Sequence, residues 1–269
     1  MIEEKLNIID EFFSHAPSSS WYNEPKNFVW ERNSSHGENN TIVITDLRMV
    51  DNLQDKKVYG WLLESPLVSP SFYDFAKNNY HKFEGIFTFD KELLKLSNKF
   101  ILIPLGGCWI DENDRKIYDK TKLVSMVYSD KKHLEGHYLR HRIANELSGI
   151  DLYGSGYKFI EDKIIAMKDH RFSIVVENCK TDYYFSEKLI DCFVTGTIPI
   201  YWGCPSIGKF FNIEGIITFN SIDELRDILN NIDENLYNTK KQYVIENFEN
   251  SKKYIVADDL IYEKLKHGK

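Results

Sequence analysis

The chain of 269 residues contains no apolar run approaching the roughly 18 residues that mark a membrane-spanning helix. Its start, Met1-Ile2-Glu3-Glu4-Lys5-Leu6, lacks the basic and apolar regions of a secretory signal. It has no long basic run and a net charge of −7, which disfavours a nucleic-acid partner. Only four cysteines occur, Cys108, Cys179, Cys192 and Cys204, without metal-ligand spacing. With no export signal they read as reduced thiols rather than a disulfide frame, and the chain as cytoplasmic. Gly154 and Gly156 form a G-x-G without the third glycine of a dinucleotide fingerprint, so NAD or FAD is not expected. His137 and His141 stand four apart, but no Glu follows the first and no third ligand is evident, so metal is not expected either. Internal repeats and low-complexity tracts are absent.

What is present is a soluble globular composition, 42% apolar and 28% charged. Seventeen Phe, sixteen Tyr and five Trp are compatible with a carbohydrate-facing surface, though aromatics more often fill cores. Two α/β series follow each other. In the first, residues 3 to 14 read as a short amphipathic helix on Leu6, Ile8, Ile9, Phe12 and Phe13, and residues 15 to 40 as irregular structure. Strands are expected at Thr41–Thr45, Lys57–Leu63, Phe83–Thr88 and Phe100–Pro104, with Lys91–Lys95 helical. Glu64 ends the second of these strands, a position open to a general base as well as to an ordinary loop glutamate. The polar segment Asp111–Lys120 reads as a connection between domains. The domains expected are a compact one over 1–120 and a second over 121–269 that ends in a charged, largely helical tail.

The second series holds the stretch that organises the chain. Phe172 to Val176 is a short β-branched run suited to a buried parallel strand. Ser186 is a good N-cap, Leu189, Ile190 and Phe193 give a helical apolar face, and Gly196 is placed to end that helix before a strand at Ile198. Asn178, Tyr184, Glu187 and Lys188 therefore gather at a strand's carboxyl end, where open α/β sheets bind ligands. A lysine in the first helical turn opposes the helix dipole, which suits a bound anion. Its plainer reading is a solvated lysine offset by Glu187. Arg140, near another helix start on the same face, could grip a diphosphate in bidentate fashion.

These residues resemble a known family. Glu177-Asn178, the run Tyr184-Phe185-Ser186-Glu187-Lys188, and Gly196-Thr197-Ile198-Pro199-Ile200-Tyr201-Trp202-Gly203-Cys204-Pro205-Ser206 are similar to the donor-binding signature of the α-1,3/4-fucosyltransferases, glycosyltransferase family 10. Weaker similarity extends to Arg140 with Asp151-Leu152-Tyr153-Gly154, and to Trp61-Leu62-Leu63-Glu64-Ser65-Pro66, where Leu63 stands in place of the family's usual Gly.

The resemblance implies the α/β GT-B fold, two Rossmann-like domains facing a cleft, the first on the acceptor side and the second binding nucleotide sugar. It implies an inverting enzyme that moves fucose from GDP-fucose to a hydroxyl of a glycan or glycolipid acceptor. By carry-over Arg140, Asn178, Tyr184, Glu187 and Lys188 bind the donor, Glu64 is the general base, and no metal or other cofactor is essential. Arg140, Lys188 and the amides before Leu189 would take up the charge that develops on GDP. A transferase of the same fold with another nucleotide sugar, or a silent sugar-binding module, stays open on these residues. Lys252, Lys253, Lys264, Lys266 and Lys269 in the tail could touch an anionic membrane surface. With Glu and Asp interspersed, a solvated helix is the plainer reading.

Overall fold

A computed structural model of the chain describes residues 4–32, 41–51 and 57–267. It divides into two compact units, Met1–Gly107 with Tyr254–Lys269, and Cys108–Lys253.

The first unit is a parallel sheet in the order β2-β1-β3-β4-β5-β6. Its strands are β1 Glu4–Ile9, β2 Phe28–Arg32, β3 Thr41–Thr45, β4 Lys57–Trp61, β5 Gly85–Thr88 and β6 Phe100–Leu102. Helices α1 Pro70–Asn79 and α2 Lys91–Leu96 lie in the connections. The helix expected over 3–14 is instead the strand β1. Leu6 and Ile8 enter one apolar cluster with Trp30 and Val43, whereas Ile9 joins Ile42 and Ile44 in another. That is a strand buried on both faces between two partners, and such a run loses the alternation by which a half-buried strand is recognised. Phe12 and Phe13, which completed the apparent helical face, belong to the turn that follows, where Asp10 accepts both of their N–H groups. The segment 15–40 also holds a strand, β2, with Phe28 and Trp30 inward; residues 33–40 lie outside the described residues.

The second unit is a parallel sheet in the order β11-β10-β9-β7-β8. It comprises β7 Lys122–Val127, α3 Glu135–Glu146, β8 Asp151–Tyr153, α4 Ile164–Met167, β9 His170–Val176, α5 Glu187–Phe193, β10 Ile198–Trp202, β11 Ile217–Thr218, α6 Ile222–Asn231, α7 Glu234–Thr239 and α8 Lys241–Ser251. All of β9 is buried, between β7 and β10. Each of Phe172, Ile174 and Val176 contributes about 1.5–3 kcal/mol by leaving water. The segment 111–120 is part of this unit rather than a connection. Buried Lys120 Nζ donates to the carbonyls of Met167, Lys168 and Thr195 and to Thr197 Oγ1, at 2.8–3.2 Å.

The last helix, α9 Ala257–His267, returns to the first unit, so the boundary is not the single cut at 120/121 that the sequence suggested. Ala257 and Ile261 enter the cluster of Leu6 and Phe28, and Tyr262 stacks on Phe28 at 5.2 Å. Buried Asp258 accepts from Ser19 and from Trp30 Nε1. Two of the tail's lysines are spent locally, Lys252 on Glu249 and Lys266 on Glu4; Lys269 lies outside the described residues.

Candidate active site

At the carboxyl end of β9 stands Glu177, fully buried. Its carboxylate accepts the Ser186 N–H at 2.9 Å and the Ser186 hydroxyl at 2.6 Å. Ser186 in turn caps α5, its hydroxyl oxygen taking the Lys188 N–H at 3.4 Å. This knot requires close backbone approach. A Cβ on Gly136, at the start of α3, would lie 1.8 Å from the Glu177 carbonyl, and one on Gly203 would lie 2.6 Å from Glu177 Cγ. The two glycines let α3 close on the Glu177 backbone and the turn after β10 close on its side chain.

Arg140 projects from α3 and is 5% exposed. Its Nε and Nη2 donate to the Val176 carbonyl at 2.9 and 2.6 Å, and Nη2 also donates to Asn178 Oδ1 at 2.9 Å. The strand end therefore holds the guanidinium rigid. Nη1 alone has no hydrogen bond among the described residues, so an anion there meets one nitrogen rather than the bidentate fork expected from the sequence.

Lys188 Nζ donates to Ser186 Oγ and to Glu187 Oε1, both at 3.0 Å, and lies 3.8 Å from Glu177. It is offset by Glu187, as in the plainer reading, but half-buried rather than solvated. Burial opposes the charge of Glu187, yet Lys188 and Lys163 outweigh it and hold that carboxyl at about 2. Lys163, 4.0 Å from Glu187, also donates to Asp191 at 2.6 Å, and Asp191 takes the Trp109 N–H at 2.7 Å. The amides at the start of α5 offer less to a ligand than the sequence suggested. The helix is short, and Ser186 already takes the Lys188 N–H.

His137 lies beside Arg140 and within electrostatic reach of Lys188. Its Nδ1 accepts the N–H groups of His133 and Leu134 at 3.3 and 3.2 Å, which places the remaining ring proton on Nε2. Burial, then the charge of Arg140, brings its pKa down to about 4, so it is a neutral imidazole. His141 instead contacts the Lys131 carbonyl at 3.1 Å, and the two rings do not form a ligand pair. Burial pushes the Cys108 and Cys192 thiols up to about 12, which leaves neither suited to act as a nucleophile.

The residues expected to bind the donor are thus brought together in the second unit. Arg140 bonds Asn178, Lys188 bonds Glu187, and buried Tyr184 lies within electrostatic reach of Arg140. Sequence reasoning missed Lys163 and Asp191, which complete the network. They lie 28 residues apart, with no local pattern to join them. Glu64 stands in the first unit, just beyond β4. The Tyr73 hydroxyl donates to its carbonyl at 2.6 Å, and Leu63 beside it enters the apolar cluster of Trp61 and Phe87.

Comparison with known proteins places this geometry in context. The family model for the C-terminal region of glycosyltransferase family 10 (fucosyltransferase) matches residues 117–265. The α-(1,3)-fucosyltransferase FucT of Helicobacter pylori is 30% identical over 117 residues, 42% of this chain and 23% of that protein. The matched part thus spans under a quarter of the relative's length. Two crystal structures of α1,3-fucosyltransferase are similar in fold. The one with GDP has a TM-score of 0.62 at 16% identity, over 98% of this chain and 90% of the other. The one with GDP-fucose has a TM-score of 0.60 at 17% identity, over 97% and 90%. At such identity the likeness shows the fold, α/β of GT-B type with two parallel sheets.

Proposed function

The chain belongs to glycosyltransferase family 10, the fucosyltransferases, and from that premise we propose that it moves fucose from GDP-fucose to a hydroxyl of a glycan or glycolipid acceptor, with inversion at the transferred carbon. The observation that carries this reading is the charged network of Arg140, Asn178, Glu187, Lys188 and Lys163 at the carboxyl end of β9, inside the segment that the family model matches. With Glu177 and Asp191 included, the three cations Arg140, Lys163 and Lys188 are matched by three carboxylates, so a diphosphate would bind by drawing Lys188 away from Glu187 and meeting Arg140 at Nη1. Glu187, held ionised, is then free to accept a hydroxyl of the sugar.

The reaction forms a bond between the acceptor oxygen and fucose C1 and breaks the bond from C1 to the phosphate oxygen. The electron pair leaves on GDP, where Lys188 and Arg140 stabilise it. Electrostatic preorganisation of this kind is worth about 10²–10³-fold per donor group. The acceptor's proton passes to Glu64. In this reading the side-chain cations carry the leaving-group charge and no metal is essential. The enzyme works in the cytoplasm, in peripheral contact with a membrane where the acceptor is a glycolipid.

A melting panel of GDP, GDP-fucose, GDP-mannose and UDP, with and without EDTA, tests the donor. At one hundred times its dissociation constant a ligand stabilises the folded chain by about 2.7 kcal/mol. Shifts with GDP and GDP-fucose that survive EDTA are expected. A shift with UDP alone would overturn the donor, and loss of the GDP shift in EDTA would overturn metal independence.

A further inference from the structure

Two ammonium groups face the Glu187 carboxylate, and the chain holds them differently. Lys188 Nζ bonds Glu187 Oε1 and Ser186 Oγ at 3.0 Å and approaches Glu177 to 3.8 Å. Lys163 Nζ lies 4.0 Å from the same Glu187 oxygen, too far for a hydrogen bond, and gives its 2.6 Å contact to Asp191 Oδ2 instead. Attraction between charges falls as the reciprocal of distance. In like surroundings Lys163 at 4.0 Å therefore gives Glu187 about three quarters of what Lys188 gives at 3.0 Å.

Asp191 lies on α5 one turn beyond Glu187 and is fully buried. Both of its oxygens take donors, Oδ2 the Lys163 ammonium and Oδ1 the Trp109 N–H at 2.7 Å. Burial pushes its carboxyl up, but with both oxygens accepting it stays ionised. Burial opposes the Lys163 charge too, yet Asp191 and Glu187 outweigh it and keep the ammonium protonated. The face of the Trp109 ring, 5.4 Å from Nζ, adds a further attraction. The neighbouring thiols of Cys108 and Cys192, pushed up to about 12, stay neutral and bring no charge. Drawing Lys163 away would strand an ionised carboxylate in the interior, a strongly unfavourable change. Lys163 is thus a fixed cation. Lys188, whose hydrogen bonds go to a hydroxyl and to half-buried Glu187, is a movable one.

Resting on the reading that a diphosphate meets this network, we propose that Lys163 is a positioning residue for donor binding: anchored on Asp191, it stays beside Glu187 as a counter-charge and so releases Lys188 to the diphosphate. Lys163 itself need not touch the donor. Arg140 also acts on Glu187, but its guanidinium is committed to the Val176 carbonyl and Asn178. Without Lys163, Glu187 would hold Lys188 and compete with the diphosphate for it.

Calorimetric titration with GDP and with inorganic pyrophosphate, both in EDTA, tests this as a double-mutant cycle. Lys163→Met is expected to weaken binding of either about tenfold, the size of coupling usual between neighbouring charges. Lys163→Arg, which keeps the charge in a different shape, stays within about threefold of the wild type. In a Glu187→Gln background the competing carboxylate is gone, and Lys163→Met costs less than about twofold. Because Lys163→Met leaves Asp191 buried without its cation, Lys163→Met with Asp191→Asn is measured beside it. Asn still accepts the Trp109 N–H, and the same loss and the same rescue by Glu187→Gln are expected. A loss that persists in Glu187→Gln would mark Lys163 as a direct phosphate ligand or a structural residue and overturn the proposal. An unchanged affinity without Lys163, or a loss in Lys163→Arg as large as in Lys163→Met, would overturn it too. A wild type that binds pyrophosphate but not GDP, with the cycle intact, would support the role of Lys163 and overturn the nucleotide reading. Binding of neither would overturn both.

Discussion

The carboxyl ends of the two sheets manage charge in opposite ways. In the second unit every carboxylate of the network has a cation at hand, Lys163 for Asp191 and Lys188 for Glu187 and Glu177. Glu187 is accordingly driven low. In the first unit Asp10, Asp46 and Glu64 crowd one edge, Arg32 serves Asp10, and Asp46 is driven up to about 7. A compensated cluster suits an anion that exchanges partners with it, since the cations are already held. A buried carboxyl such as Asp46, desolvated and with like charges acting on it, suits a proton, because binding one is the cheapest relief.

If that contrast is functional, the largest effect comes from the first edge. Glu64→Gln should lower turnover by about 10²–10⁴-fold while leaving the GDP-fucose melting shift intact; retained turnover would remove Glu64 from the chemistry. On the second edge, Lys188→Met should cost about 10²–10³-fold in kcat/KM for the donor and weaken the GDP shift as well. An effect on turnover alone would mean that Lys188 does not bind the ground state.

Gly136→Ala sharpens the structural side. Its Cβ would sit 1.8 Å from the Glu177 carbonyl, so α3 must shift, at a cost of about 1–3 kcal/mol in urea unfolding. An unchanged midpoint would show that the knot around Glu177 is loose.

An effect of similar size is read through pH. Asp46 is raised from 3.8 to about 7 on folding, so between those values the folded chain binds the extra proton. Its contribution is fully present below about pH 4 and lost as pH rises through about 7. Asp46→Asn removes that loss. The variant should gain on the wild type by on the order of 2 kcal/mol between pH 5 and 8. Parallel curves would mean that Asp46 is ionised throughout.

Much of the donor region was legible because its signals are local. The cap at Ser186, the strand Phe172–Val176 and the helix-ending Gly196 lie within a few tens of residues and form one β-α-β unit. The strand β1 was misread because burial on both faces erases the alternation that identifies a strand. Asp46 was legible in principle. It follows β3 directly, as Glu64 follows β4, and the same rule about strand ends would have found it.

By itself the sequence determined the class, α/β with parallel sheets, and the family, because short-range hydrophobic patterns and an ordered motif survive without any three-dimensional context. The tertiary structure decided that α9 completes the first unit, that Lys163 meets Asp191, that Arg140 spends its fork on the Val176 carbonyl, and that Asp46 is buried with one oxygen that has no hydrogen-bond partner among the described residues. Each of these depends on contacts between residues distant in the chain or on desolvation. Neither leaves a trace in local spacing.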